Sequence, residues 1–217
     1  MNINQYFKII TQSLLYVGLG YFIYLMILIT WQYVPIDFKA AFLAVKEKEI
    51  QLPYYQVAFF SHVYTSIFVL IIGAFQFSNW LRTQHSSIHK NLGKIYIGLI
   101  LLIASPTGLI MALHANGGTY SKLSFVLQAI LWFTFTYLAY QHIRNKNWSK
   151  HRDFMIRSFA LTLSAISLRL FKWIIVHTWE LPPMDTYKIV AWAGWVINLI
   201  IAERYIYWLN HKRIVKS

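Results

Sequence analysis

Three histidines, a glutamine and two arginines are the side chains of this sequence best suited to chemistry. His62, His89 and His151 stand in or beside long apolar runs. Imidazoles from facing helices are the usual axial ligands of a b-type haem. Gln76 follows His62 by 14 residues, close to four helical turns, so the two share one helix face. Arg157 and Arg169 interrupt an otherwise apolar stretch. An arginine there costs at least about 2.5–3.5 kcal/mol on insertion scales, which marks a site by default. Six such groups are tolerable in lipid when they meet one another or a ligand. They predict a polar site inside a bundle, holding haem b, a quinone-like headgroup or a transported solute. In the haem reading His89 and His151 are inner ligands and His62 serves an outer site, while Arg82, Lys90 and Arg152 meet propionates. Taken as one trio of metal ligands, the same histidines would make an intramembrane enzyme. Plainer roles stand beside these: hydrogen-bonded packing for each histidine, and snorkelling for Arg157, Arg169 and Lys172.

The elements that must position these residues are membrane helices. The 217-residue chain is 58% hydrophobic and 12% charged, against roughly 25% charge in a soluble domain. Its long apolar runs predict six spans, about 9–34, 54–80, 93–114, 123–143, 154–177 and 187–209. Roughly 20 residues cross the hydrocarbon, and these unalternating runs are helices rather than barrel strands. The expected fold is an all-α polytopic bundle forming one integral-membrane domain over 1–217. With no cysteine, thiol catalysis, disulfides and iron–sulfur ligation are excluded. No phosphate loop, nucleophile elbow or zinc-protease motif is present. A net charge of +13 would suggest nucleic acid in a soluble protein. Here the cations flank the spans, so the expected partners are anionic lipid headgroups, with a quinone or another membrane protein besides, and no nucleic acid.

Cation counts set the orientation. Arg82, Lys90 and Lys94 fall in one loop, Arg144, Lys146, Lys150 and Arg152 in another, and Lys212, Arg213 and Lys216 in the tail. The positive-inside rule places all three regions, and both termini, in the cytoplasm. The amino-terminal segment reads as a retained first helix rather than a cleaved signal. Asn116-Gly117-Gly118 predicts a tight turn, Ser105-Pro106-Thr107-Gly108 a kink, and Asp37–Glu49 a short interfacial helix. Glu203, the one acid well inside a span, needs a buried partner at its depth, and Arg157 supplies it.

An internal repeat is visible at an offset of 62 residues. Leu81-Arg82 and His89-Lys90 recur as Ile143-Arg144 and His151-Arg152, which superposes the second and third spans on the fourth and fifth. Such duplications place paired residues around a pseudo-two-fold axis. The phrases Phe59-Phe60-Ser61-His62, Gly73-Ala74-Phe75-Gln76-Phe77, Leu81-Arg82, His89 to Tyr96, His151 to Ser158 and Leu168-Arg169 together resemble a family of bacterial multi-pass membrane proteins of unknown function. The resemblance covers about Val57 to Lys172 and implies a bacterial inner-membrane location. It brings no activity with it. Haem-based electron transfer and a non-enzymatic transporter or assembly factor are therefore the two readings that the residues leave open.

Overall fold

The apolar segments fold as helices, because a helix satisfies its own backbone groups where no water is available. The computed structural model describes residues 3–214; both termini and Lys216 lie outside the described residues. Among the described residues the α-helices are α1 (Ile3–Trp31), α2 (Pro53–Gln76), α3 (Asn79–Gln84), α4 (Ser86–Leu99), α5 (Ser105–Leu113), α6 (Gly118–Arg144), α7 (Trp148–Thr162), α8 (Ser164–Trp179) and α9 (Pro183–Ile214). Five stretches are long and apolar enough to cross a membrane: Ile10–Trp31, Pro53–Gln76, Ser86–Leu113, Gly118–Arg144 and Pro183–Lys212. The pair α7 and α8, bent by 41°, makes a sixth when counted as one broken span. The protein is thus an all-α, multi-pass helical membrane protein with five or six spans among the described residues.

The chain divides into two compact units, Met1–Glu47 and Lys48–Ser217. In the first, the expected interfacial helix is replaced by a short 3-10 turn, Ala41–Val45. Local side-chain bonds compete with helix there. The Asp37 carboxylate accepts from the Lys39 amide at 2.8 Å, the Tyr33 hydroxyl accepts from the Phe42 amide at 3.2 Å, and Ala41 sits at φ 46°.

In the second unit α2 packs on α4 and α5, α6 on α5, α7 and α9, and α8 on α9. Val69, Tyr96, Ile100, Ala104, Trp132, Leu161 and Trp195 are among its buried core. Gly73 admits this packing, since a Cβ there would lie 2.7 Å from the Phe159 ring and 2.9 Å from Tyr96. The predicted turn is present, with Gly117 and Gly118 at φ 82° and 73°.

Two long spans are interrupted. A π turn, Ile100–Ala104, joins α4 to α5 just before Pro106. Pro106 is compatible with the widened turn, since proline has no N–H for the carbonyl four residues back and its ring crowds that turn. The sequence predicts a kink at this place, and the structure has a π turn there; the bend of more than 40° lies between α7 and α8. The second break falls at Leu163, where side chains take up backbone carbonyls: Thr162 Oγ1 bonds Ser158 O at 3.1 Å, Ser164 Oγ bonds Leu161 O at 2.6 Å, and Asn198 Nδ2 bonds Ala160 O at 3.1 Å. Polar side chains that re-satisfy freed carbonyls make such breaks tolerable in lipid.

Candidate functional site

At one end of the second unit α2, α6 and α9 finish while α4 and α7 begin, and the cations Arg82, Lys90, Arg144, Lys150 and Arg152 gather there. This basic end holds three of the predicted residues. Gln76, on the last turn of α2, lays its carboxamide over Gly93 of α4, where a Cβ would meet Gln76 Oε1 at 3.3 Å. His89 precedes Gly93 by one turn, so it lies on the same face of α4. The Nε2 of Gln76 and the Nδ1 of His89 are both buried without a hydrogen-bond partner. His151, near the start of α7, is within electrostatic reach of His89. Its Nδ1 lies 2.8 Å from the carbonyl of Ala139. A carbonyl only accepts, so this partner assigns the proton to Nδ1 and leaves a lone pair on Nε2.

His62 stands apart, about 21 Å from Gln76 along α2 at the helical rise. Its Nδ1 lies 2.8 Å from Ala104 O in the π turn, and its ring packs on Gly108, where a Cβ would be 3.0 Å from Cε1. The charge of Arg169 reaches it from α8. Sequence treated the three histidines as a possible trio of metal ligands, and this is corrected: among the described residues no three His, Cys, Asp or Glu side chains gather as a metal site. The physical reason is the 14-residue separation along α2, which puts His62 and the basic end in different halves of the span.

Neither arginine reaches the basic-end cluster. Arg157 meets Glu203 in a two-point ion pair, Nε to Oε1 at 2.6 Å and Nη2 to Oε2 at 2.8 Å, with the Phe154 ring 5.0 Å from the guanidinium. The pairing is the expected one, but its setting is not. Glu203 is half exposed, so the pair lies on the rim of the bundle rather than in its interior. Arg169 is exposed and its Nη1 donates to Ala165 O one turn back at 2.7 Å. Convergence of all six polar groups on one interior cavity is therefore not the arrangement found. Gln76, His89 and His151 come together; His62, Arg157 and Arg169 do not join them.

Sequence reasoning missed a buried hydroxyl network between these places. The Tyr96 hydroxyl lies 3.2 Å from Ser158 Oγ and 3.0 Å from Thr162 Oγ1. Thr136 Oγ1 lies 2.7 Å from Ser158 Oγ, and Trp132 Nε1 donates to Thr162 Oγ1 at 3.2 Å. Every member has a partner, so the network fixes how α4, α6 and α7 meet. The available signal was Ser158 and Thr162 one turn apart on a helix that also carries Arg157. A second cluster, Arg152, Asp153 and Asn210, ties the start of α7 to the end of α9 through bonds of 2.6–3.0 Å.

The repeat seen in sequence has a structural counterpart. α4 begins at Ser86 and α7 at Trp148, 62 residues later, and the π turn maps onto the break at Leu163. Tyr96 and Ser158, equivalent at the same offset, touch each other. His89 and His151 are equivalent as well.

Fold and site define a polytopic helical membrane protein with a polar cluster at the basic end of its core. A family described as "Predicted membrane protein (DUF2306)" matches residues 59–206, and the chain belongs to that family. No curated protein and no solved structure matches it.

Proposed function

We propose that this is an electron carrier of the bacterial inner membrane, in which His89 and His151 would hold a b-type haem at its basic, cytoplasmic end. One observation carries the reading: the Nδ1 of His89 is buried without a hydrogen-bond partner at the end of the core where His151, its own Nδ1 held by the Ala139 carbonyl, lies near the start of α7. The residues fit the group. His151 offers Nε2 because Nδ1 is anchored on a backbone carbonyl, the usual arrangement behind a ligating histidine. Arg82 and Lys90, whose charges reach His89, suit two carboxylates. Unpaired buried polar atoms cost about 1–3 kcal/mol each, and a propionate beside Gln76 Nε2 removes one such cost. Bound haem supplies one-electron transfer. The chain's own part is to ligate, to neutralise the carboxylates and, through the Tyr96 network, to close the site toward the membrane centre.

The orphaned Gln76 Nε2 and His89 Nδ1 favour a second reading, a quinone-like headgroup whose carbonyls accept from both. An absorption spectrum of the detergent-purified protein separates the two. A Soret band that is lost in His89→Ala and in His151→Ala, and retained in His62→Ala, supports haem. A colourless protein whose solvent extract contains quinone, lost in Gln76→Ala, supports the second reading and overturns the first. Neither chromophore nor quinone overturns both and leaves a non-enzymatic transporter or assembly factor.

A further inference from the structure

A second feature lies on the rim of the bundle, away from the histidines. Trp195, Val196, Leu199, Ile200, Glu203, Arg204 and Tyr207 line a shallow, open groove along the face of α9 alone. These positions form two adjacent rows of i, i+4 neighbours, about 18 Å long at the helical rise. The groove changes character along its length. Toward the membrane centre it is apolar, walled by the buried Trp195 and the half-buried Val196 and Leu199. Toward the basic end it opens and turns polar at Glu203, Arg204 and Tyr207, all exposed. Beyond it come Trp208, whose ring is 3.8 Å from the Lys212 ammonium, and Tyr205, stacked on Trp208. Such aromatic and cationic residues mark the level of the headgroups.

The charges at the polar end do not cancel. Arg157 neutralises Glu203 through both carboxylate oxygens. Arg204, next in sequence, makes no hydrogen bond or ion pair among the described residues. One positive charge is left over, about 12 Å along the helix from Lys212 by the same rise. A cation at that depth snorkels toward an anion at the interface.

We infer that this groove is a binding site for one anionic phospholipid of the leaflet at the basic end. An acyl chain lies along Trp195, Leu199 and Ile200, and the phosphate meets Arg204 beside the Tyr207 hydroxyl. A zwitterionic lipid places its own ammonium in the same cluster and gains less. The Arg157–Glu203 pair serves as the floor under the headgroup, which accounts for its position on the rim.

The test uses the full-length protein in nanodiscs of phosphatidylcholine alone, or with one fifth phosphatidylglycerol, reading thermal unfolding and lipid retained on native mass spectrometry. Retained phosphatidylglycerol and a raised unfolding midpoint are expected for the wild type. A juxtamembrane cation contributes about 1 kcal/mol toward anionic lipid, so Arg204→Gln is expected to lower retention about five-fold. Arg204→Lys restores part of it. Ile200→Trp, which fills the groove and leaves every charge in place, lowers retention as well. Unchanged retention in both Arg204→Gln and Ile200→Trp overturns the site. So does a lipid-independent dimer that Ile200→Trp dissociates, because a second copy of the chain then occupies the groove.

Discussion

In the half of the second unit built from α2, α4 and α5, the long span widens into a π turn ahead of Pro106, and the His62 ring packs against that turn. In the half built from α6, α7 and α8, the span bends at the equivalent place with no proline, and hydroxyls and Asn198 take up the carbonyls. The same backbone event is met by different chemistry. Position 62, a histidine in the first half, corresponds to Ser124 in the second. Ser124 bonds Ala191 O at 2.7 Å and receives Trp195 Nε1 at 2.9 Å, both from α9. Position 95 is Ile95, exposed in the first half, and corresponds to Arg157, which pairs with α9. α9 packs on α6, α7 and α8. The two stretches therefore differ where one of them packs against α9, while each carries a histidine at the equivalent place of the basic end. Exchanging residues between equivalent positions tests this account.

The largest effect is expected at Gly73, whose counterpart is Phe135. A Cβ added at Gly73 would lie 2.7 Å from the Phe159 ring. Gly73→Phe places a whole ring there, at or beyond the upper end of the about 1–3 kcal/mol that overpacking costs. Loss of the folded, monodisperse peak on size exclusion is the expected outcome. A protein that melts like the wild type would show that α2 is not seated against α4 and α7 as described.

Next comes Arg157→Ile, which installs the residue of the first half and strands Glu203. An unpaired charge in a span costs about 2.5–3.5 kcal/mol, and the exposure of Glu203 lowers this to about 2 kcal/mol. For a chain of this size that is a fall of about 4–8 °C in the thermal midpoint. Arg157→Ile with Glu203→Gln is expected to recover most of it, since the pair is coupled. Losses that simply add would leave the ion pair without energetic weight.

How much of this was legible beforehand depended on length scale. Apolar runs longer than about 20 residues have few structural outlets, so the multi-pass helical class was readable from hydropathy alone. The partner of Glu203 was readable because helix rise converts sequence position into depth, and only Arg157 matched. What depth does not give is rotation about the helix axis. Arg157 and Glu203 met on the rim rather than inside, and Arg169 is exposed although its charge reaches His62, because hydropathy here carries little periodicity to say which face is inward. The Tyr96 network was hidden for a related reason. Serine and threonine are ordinary on any membrane helix, and only the packing of three helices turns Thr136, Ser158 and Thr162 into a cluster. Gln76 and His89 converged through Gly93, whose missing side chain gives little warning in the sequence.

The smallest effect is expected at Pro106, and it bears most directly on what the duplication means. Proline is the usual cause assigned to a widened helix turn, since it withholds an N–H and crowds the turn before it. The equivalent position in the second half is Leu168, and the span there is interrupted all the same, at Leu163. The interruption is thus a property of the shared architecture, and Pro106 accommodates it rather than creating it. His62 holds the turn from α2 by its 2.8 Å contact with Ala104 O, and Thr107 Oγ1 bonds Ile103 O at 2.6 Å from within the helix. Both contacts survive the loss of the ring. Pro106→Leu should therefore shift the thermal midpoint by only about 2–4 °C, the equivalent of about 1 kcal/mol in a chain of this size. Nitrogen-15 spectra should still place the His62 proton on Nδ1. If instead the proton moves to Nε2 and the midpoint rises well beyond that range, α4 and α5 have closed into a straight helix. The first break would then belong to the proline, and the correspondence between the halves would stop short of their most visible shared feature.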